Sequence, residues 1–200
     1  VKIVGIDLSL TGSGLCEIEL PGLDVDSITE NFGLVTSVVT SVGKTKDSLA
    51  TRFDRQTKIT TGVLAVAKTA DLVVIEYPVS GKYAGHLIDR AGFWWRVVGS
   101  CLLWDIPVVS PVPQHAKKFL TGSGSAPKGE MVRVAGKVWP QWTPATIKNV
   151  EDEADAIALA TIGVALALPV PQWPFSLTQY RTELAKTLAY QHDMQIPEEK

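Results

Sequence analysis

The chain has 200 residues, 46% hydrophobic and 20% charged, with a net charge of −2 and a pI near 5.9. That length and apolar content fit one α/β domain with a true core, and the slight acid excess argues against a protein that holds nucleic acid by bulk charge alone. Two cysteines far apart, Cys16 and Cys101, exclude a disulfide framework or a zinc knuckle and fit plain core packing in a reducing cytosol.

Val1–Leu8 alternates, is β-branched, and predicts a first strand rather than a signal peptide. Gly12–Leu20, after a Thr-Gly-Ser-Gly turn, predicts a second strand, and Phe32–Thr40 a third, making an antiparallel meander. Asp47–Lys68 carries Leu49, Phe53, Val63 and Val66 at helical spacing. Asp71–Tyr77 holds Leu-Val-Val-Ile, apolar on both faces, which suits a central parallel strand. Tyr83–Trp104 reads as a long helix, apolar nearly all round over Gly92–Trp104. Two surfaces must cover it: the sheet on one side, and its own subunit or the same helix of a second copy on the other.

Ile106–Ser110 predicts a short strand, followed by helices over Pro113–Leu120, Pro127–Val138 and Glu151–Leu168. Gly122–Ser125 is a loop, with Ser125 as N-cap and Pro127 in the first turn of the next helix. Its free N–H groups and Lys128 would favour a phosphate. The longest apolar stretch, Ala156–Leu168, falls short of the ~20 residues needed to span a bilayer and reads as a buried helix, so a cytoplasmic protein without membrane contact is expected. Three antiparallel strands followed by alternating helices and strands give an α/β fold with a mixed five-stranded sheet flanked by helices. Pro169–Pro174 breaks the chain, placing the domain at 1–168 and a Pro-rich linker with a helical tail at 169–200. Leu177, Tyr180, Leu184 and Leu188 form one stripe of that tail, fit to dock on the domain's own core or on a partner.

Carboxylates stand where a fold alone does not need them. Asp7 ends the first strand in Ile-Val-Gly-Ile-Asp, and Glu76 ends the buried one in Val-Val-Ile-Glu. Asp152 and Asp155 open the last domain helix at i and i+3, on one face. Singly, each has an ordinary reading as a turn residue or a first-turn acid facing the helix dipole. Together they could hold two Mg²⁺ ions about 4 Å apart for phosphodiester hydrolysis, with Mn²⁺ as a substitute. Gln114–Lys137 supplies His115, Lys117, Lys118, Lys128, Arg133 and Lys137 against the single acid Glu130, which suits a phosphate-holding surface. Lys118, Arg133 and Lys137 also have an ordinary solvated-surface reading. The stretch from Gly122 to Gly129 brushes against the P-loop pattern and fails it, because Pro127 precedes the lysine and Gly129 follows it.

Gly-Ile-Asp-Leu-Ser near the start, Ile-Glu in the fourth strand, Lys-Lys-Phe-Leu-Thr-Gly-Ser-Gly-Ser-Ala-Pro-Lys, and Asp-Glu-Ala-Asp-Ala-Ile-Ala resemble, in this order, the RuvC-type Holliday junction resolvases of the ribonuclease H-like superfamily. The resemblance runs from about Val1 to Leu168. It implies a homodimer that makes paired nicks in four-way DNA, for which the apolar Tyr83–Trp104 helix is the candidate contact. It carries metal-ligand roles onto Asp7, Glu76, Asp152 and Asp155, and catalytic or phosphate-contact roles onto Lys117 and Lys128. The family places an aromatic a few residues after the strand glutamate; here Val79 holds that spacing, with Tyr77 and Tyr83 on either side as candidate DNA contacts. A nuclease preferring forks or flaps, an actin-like ATPase or sugar kinase, and a catalytically silent junction-binding protein remain alternatives. The Asp7–Thr11 turn faintly echoes the second of these.

Overall fold

Strands β1 (Lys2–Asp7), β2 (Gly12–Glu19), β3 (Gly33–Thr40), β4 (Leu72–Ile75) and β5 (Val108–Val109) form one sheet in the order β3-β2-β1-β4-β5. The computed structural model describes residues 1–20, 32–44, 46–79, 87–169, 172–192 and 194. β1 pairs antiparallel with β2, and β2 with β3, while β4 runs parallel to both β1 and β5. The expected meander and central parallel strand are therefore present. β5 is shorter than the Ile106–Ser110 expected. Pro107 and Pro111 accept from Val73 and Tyr77 but have no N–H to return, so only Val108 and Val109 pair in the ladder.

Alternation along the strands sends their side chains to two separate cores. Ile3, Cys16, Ile18, Leu72 and Val74 face α3 (Pro113–Thr121), α4 (Lys128–Val138) and α5 (Val150–Ala167). Val4, Ile6, Leu15, Val73 and Ile75 face α1 (Leu49–Ala67) and α2 (Leu87–Leu103). α5 is buried almost all round, as its apolar run requires, because the sheet and helices enclose it. Cys16 and Cys101 are free and buried; burial pushes the Cys16 thiol well up and that of Cys101 to about 11, so both are inert packing groups at neutral pH.

Two local expectations change. Ser125 does not cap α4: its hydroxyl meets that of Ser123, and Pro127 takes the cap position without a side-chain bond. Pro127 has a helix-compatible φ of −70° but an extended ψ of 158°, so the first turn starts one residue later. The tail stripe also divides. Leu188 is buried with Trp173 and Phe175 in the core beside α5, whereas Leu177 is 59% exposed. α6 (Gln179–Gln191) thus docks on this chain's own core through its second half. Tyr83 and the expected first turn of α2, with Val170 and Pro171, lie outside the described residues.

Candidate active site

Close backbone packing sets where the acids meet. A methyl group on Gly5 would stand 2.3 Å from the Ala156 carbonyl oxygen, and one on Gly163 would stand 2.4 Å from Ile3 Cγ2. At Gly14 it would stand 2.1 Å from the Asp152 carbonyl oxygen. These contacts lay α5 antiparallel to β1, with its first turn over Gly14. Gly14 is the register partner of Asp7. Asp152 and Asp155 are thereby brought to the carboxyl end of β1.

Glu76 arrives from the next strand. Ile6 and Ile75 are register partners, and the Glu76 N–H donates to the Ile6 carbonyl at 3.2 Å. Asp7 and Glu76 therefore leave neighbouring parallel strands side by side, where strand axes are about 4.8 Å apart. Both continue the alternation that faces α5.

The electrostatics record the crowding. Burial raises the Asp7 carboxyl well above the ordinary range, and Glu76, Asp155 and Asp152 push it further, with Lys128 opposing. Glu76 is pushed up to about 7, by burial and then by Asp155, against Arg90 and Lys117. Asp155 is pushed up to about 6 by burial; Lys128 and Lys117 pull it down, and Asp152 and Glu151 push it up. Among the described residues, none of Asp7, Glu76 or Asp155 forms an ion pair. Among the described residues, Asp152 has only a long hydrogen bond, 3.4 Å, from the Asn149 amide.

Such a set of hard oxygen donors, partly withdrawn from water and uncompensated by paired cations, fits a divalent ion in kind. The side chains as placed do not form a finished coordination sphere: among the described residues no three Asp, Glu, His or Cys side chains are grouped to hold one ion.

Other expected residues separate. Lys117 on α3 is half-buried, and its charge reaches Glu76 and Asp155. Lys128, at the start of α4, has a side chain 56% exposed and lies 3.1 Å from Glu151. Lys118 is exposed on α3. Arg133 is exposed on α4 and leans to 3.9 Å from Glu130. Tyr77 is 47% exposed, edge-on to Trp94.

Sequence reading missed Arg90, the half-buried cation beside Glu76 on α2. It also missed that Glu153, between the two aspartates, has a different task. Glu153 is fully buried and accepts from the Thr36 hydroxyl and from the N–H groups of Ala145 (2.9 Å) and Thr146 (3.1 Å). It ties the turn before α5 to β3. The signal was present: Glu153 shares a helical stripe with Ile157 and Ala160, both buried, rather than with Asp152.

No protein-family model matches the chain. The crossover junction endodeoxyribonuclease RuvC of Chlamydia caviae is 33% identical over 116 residues, 58% of this chain and 67% of the relative. This chain belongs to the RuvC family. The RuvC of Carboxydothermus hydrogenoformans is 28% identical over 165 residues, 82% of this chain and 95% of that one. In architecture, this RuvC-family chain is similar to Thermus thermophilus RuvC (TM-score 0.55, 21% identity, 80% of this chain and 91% of that one). It is also similar to T. thermophilus RuvC in complex with Holliday junction substrate (TM-score 0.58, 22% identity, 80% and 90%). The fold is ribonuclease H-like, as the resemblance implied.

Proposed function

We propose that this RuvC-family chain is a divalent-metal-dependent endonuclease that cuts four-way DNA junctions, with Asp7, Glu76, Asp152 and Asp155 as its metal ligands. One observation carries the reading: adjacent strand ends and one helix turn bring these acids together, and no paired cation among the described residues compensates Asp7, Glu76 or Asp155. The names of the curated relatives support the reaction class. Bound there, Mg²⁺ or Mn²⁺, two ions per site, would offset the clustered charge, polarise the scissile phosphate and favour ionisation of the attacking water.

The chain's own groups supply the rest. Asp7 is anchored by its strand and by the helix lying across it. Lys128 projects from the start of α4 toward Asp7 and Asp155, where it contacts a phosphate oxygen. Its pair with Glu151 is exposed on both sides, so exchanging it for phosphate costs little. Lys117 meets the backbone from the α3 side. Lys118 and Arg133 lie outward along the same basic stretch and hold more distant phosphates. Tyr77, 47% exposed, is the aromatic offered to stack on unpaired bases near Glu76, and Tyr83 is carried as a second candidate from its sequence position alone.

The catalytic unit in this reading is a homodimer joined through α2. Ile88, Trp95 and Leu102 are exposed on that helix at seven-residue spacing, and a methyl group at Gly92 or Gly99 between them would meet open space. This pattern suits a close, two-fold helix pair. Two such sites would make paired nicks. Two buried free thiols and the bacterial sources of the curated relatives support work in the cytoplasm of a bacterium or phage-infected cell.

Asp7→Asn and Glu76→Gln each remove one charged ligand while preserving shape. Cleavage of a labelled four-way junction in Mg²⁺ should fall by roughly 10³-fold. Junction affinity in chelator should stay the same or rise, because a negative charge near DNA is lost. Either variant cutting at the unmodified protein's rate contradicts the assignment.

A further inference from the structure

α3 has nine residues, too short to be stable alone, and its last carbonyls lack partners within the helix. Gly122, at φ 89°, turns the chain and donates to the Lys118 carbonyl at 2.9 Å. The next two carbonyls are met from the tail. Arg181 of α6 donates from Nε to the Phe119 carbonyl at 2.9 Å and from Nη2 to the Leu120 carbonyl at 3.0 Å. Its remaining nitrogen, Nη1, donates to the Ser176 carbonyl at 2.6 Å and to its hydroxyl at 2.9 Å.

Arg181 is only 4% exposed, and among the described residues it forms no ion pair with a carboxylate. Carbonyls at the negative end of α3 and the rings of Phe119 and Phe175 compensate its charge, with the guanidinium carbon 5.8 and 5.2 Å from the ring centres. A planar fork satisfies three directions at once here; an ammonium group cannot. The other end of α6 grips the segment before α3. Ser110 donates its N–H to His192 Nε2 at 3.3 Å, and its hydroxyl to the carbonyl of Ile75, the residue before Glu76, at 2.8 Å. Lys117 lies between these two anchor points.

We propose that α6 is a brace and that Arg181 is a positioning residue, which holds α3 so that Lys117 faces the phosphate beside Glu76 and Asp155. The proposal rests on the role given to Lys117 above. A buried arginine that served stability alone would act equally whether or not that lysine were present.

The test is a double-mutant cycle on four-way junction cleavage, using the full chain with Arg181→Lys, Lys117→Gln and the two combined. Lys117→Gln should lower kcat/KM about tenfold, the range of one charge-assisted phosphate contact. Arg181→Lys should lower it about threefold beside Lys117 and leave it unchanged in the Lys117→Gln background, although Tm falls by the same amount in both. Amide exchange at Phe119–Gly122 should accelerate in Arg181→Lys while that of α5 does not. Equal losses in both backgrounds, or unaltered exchange in α3, overturn the brace and leave the Lys117 role standing. A Lys117→Gln variant at full activity removes that role, and the brace with it. Should Arg181→Lys fail to fold, Tyr180→Phe withdraws the hydroxyl that donates to the Phe119 carbonyl at 3.4 Å. A loss of about twofold that vanishes without Lys117 supports the proposal, and one that persists overturns it.

Discussion

Asp7, Glu76 and Asp155 are held where their ionised forms are costly. Burial is the first cause for each, and like charges add to it. Their folded pKa values lie above those of free carboxyls, so their protonated forms favour the fold. That contribution is complete below about pH 4, the range of unfolded carboxyls, and is lost as pH rises through about 6 for Asp155 and about 7 for Glu76. Metal competes with the same protons. The Tm of chelator-treated protein should therefore fall from pH 5 to pH 8 more steeply than that of Asp155→Asn, and Mg²⁺ should raise Tm more at pH 8 than at pH 5. A Mg²⁺ gain independent of pH would count against metal binding by these groups. The acids at the strand ends were legible because a carboxylate closing an apolar strand has a cost that nothing local offsets. Arg181 was not legible, because its partners, the α3 carbonyls, are more than sixty residues away in sequence; for Glu153 the helical stripe signalled burial but could not show the distant partner Thr36.

Among the elements, α5 connects fold to site. Gly5 of β1, Gly14 of β2 and its own Gly163 let the strands and its backbone close on each other, and its first turn is thereby carried to Asp7. The strands and most helices could be read from periodicity, whereas the ends of β5, where prolines lack an N–H, and of α4, where Pro127 has an extended ψ, could not, because both act through backbone geometry rather than hydropathy. α2 bears two apolar faces, one on Phe93, Val97 and Cys101 against the sheet, the other exposed at Ile88, Trp95 and Leu102. A charge at Trp95 should cost the subunit little, because that ring is 63% exposed and loses only its edge-on contact with Trp94. At one concentration the unmodified chain should sediment as a dimer and Trp95→Glu as a folded monomer. A monomeric unmodified chain, or a dimeric Trp95→Glu, would contradict pairing through α2.

For the whole molecule, charge is sorted rather than abundant. A net charge of −2 coexists with a cluster of acids whose charge Lys117, Lys128 and Arg90 offset in part. In the proposed reading a phosphate beside these acids would be attracted once divalent cations offset them, and repelled when the cations are removed. The most direct measurement is cleavage of an end-labelled four-way junction, beside a fork and a linear duplex of the same sequence, with Mg²⁺ and with EDTA. The junction should be nicked on two opposing strands in Mg²⁺, the linear duplex left intact, and cleavage abolished by EDTA. Undiminished junction cutting in EDTA, or equal cutting of the linear duplex, would contradict a metal-dependent, junction-selective nuclease.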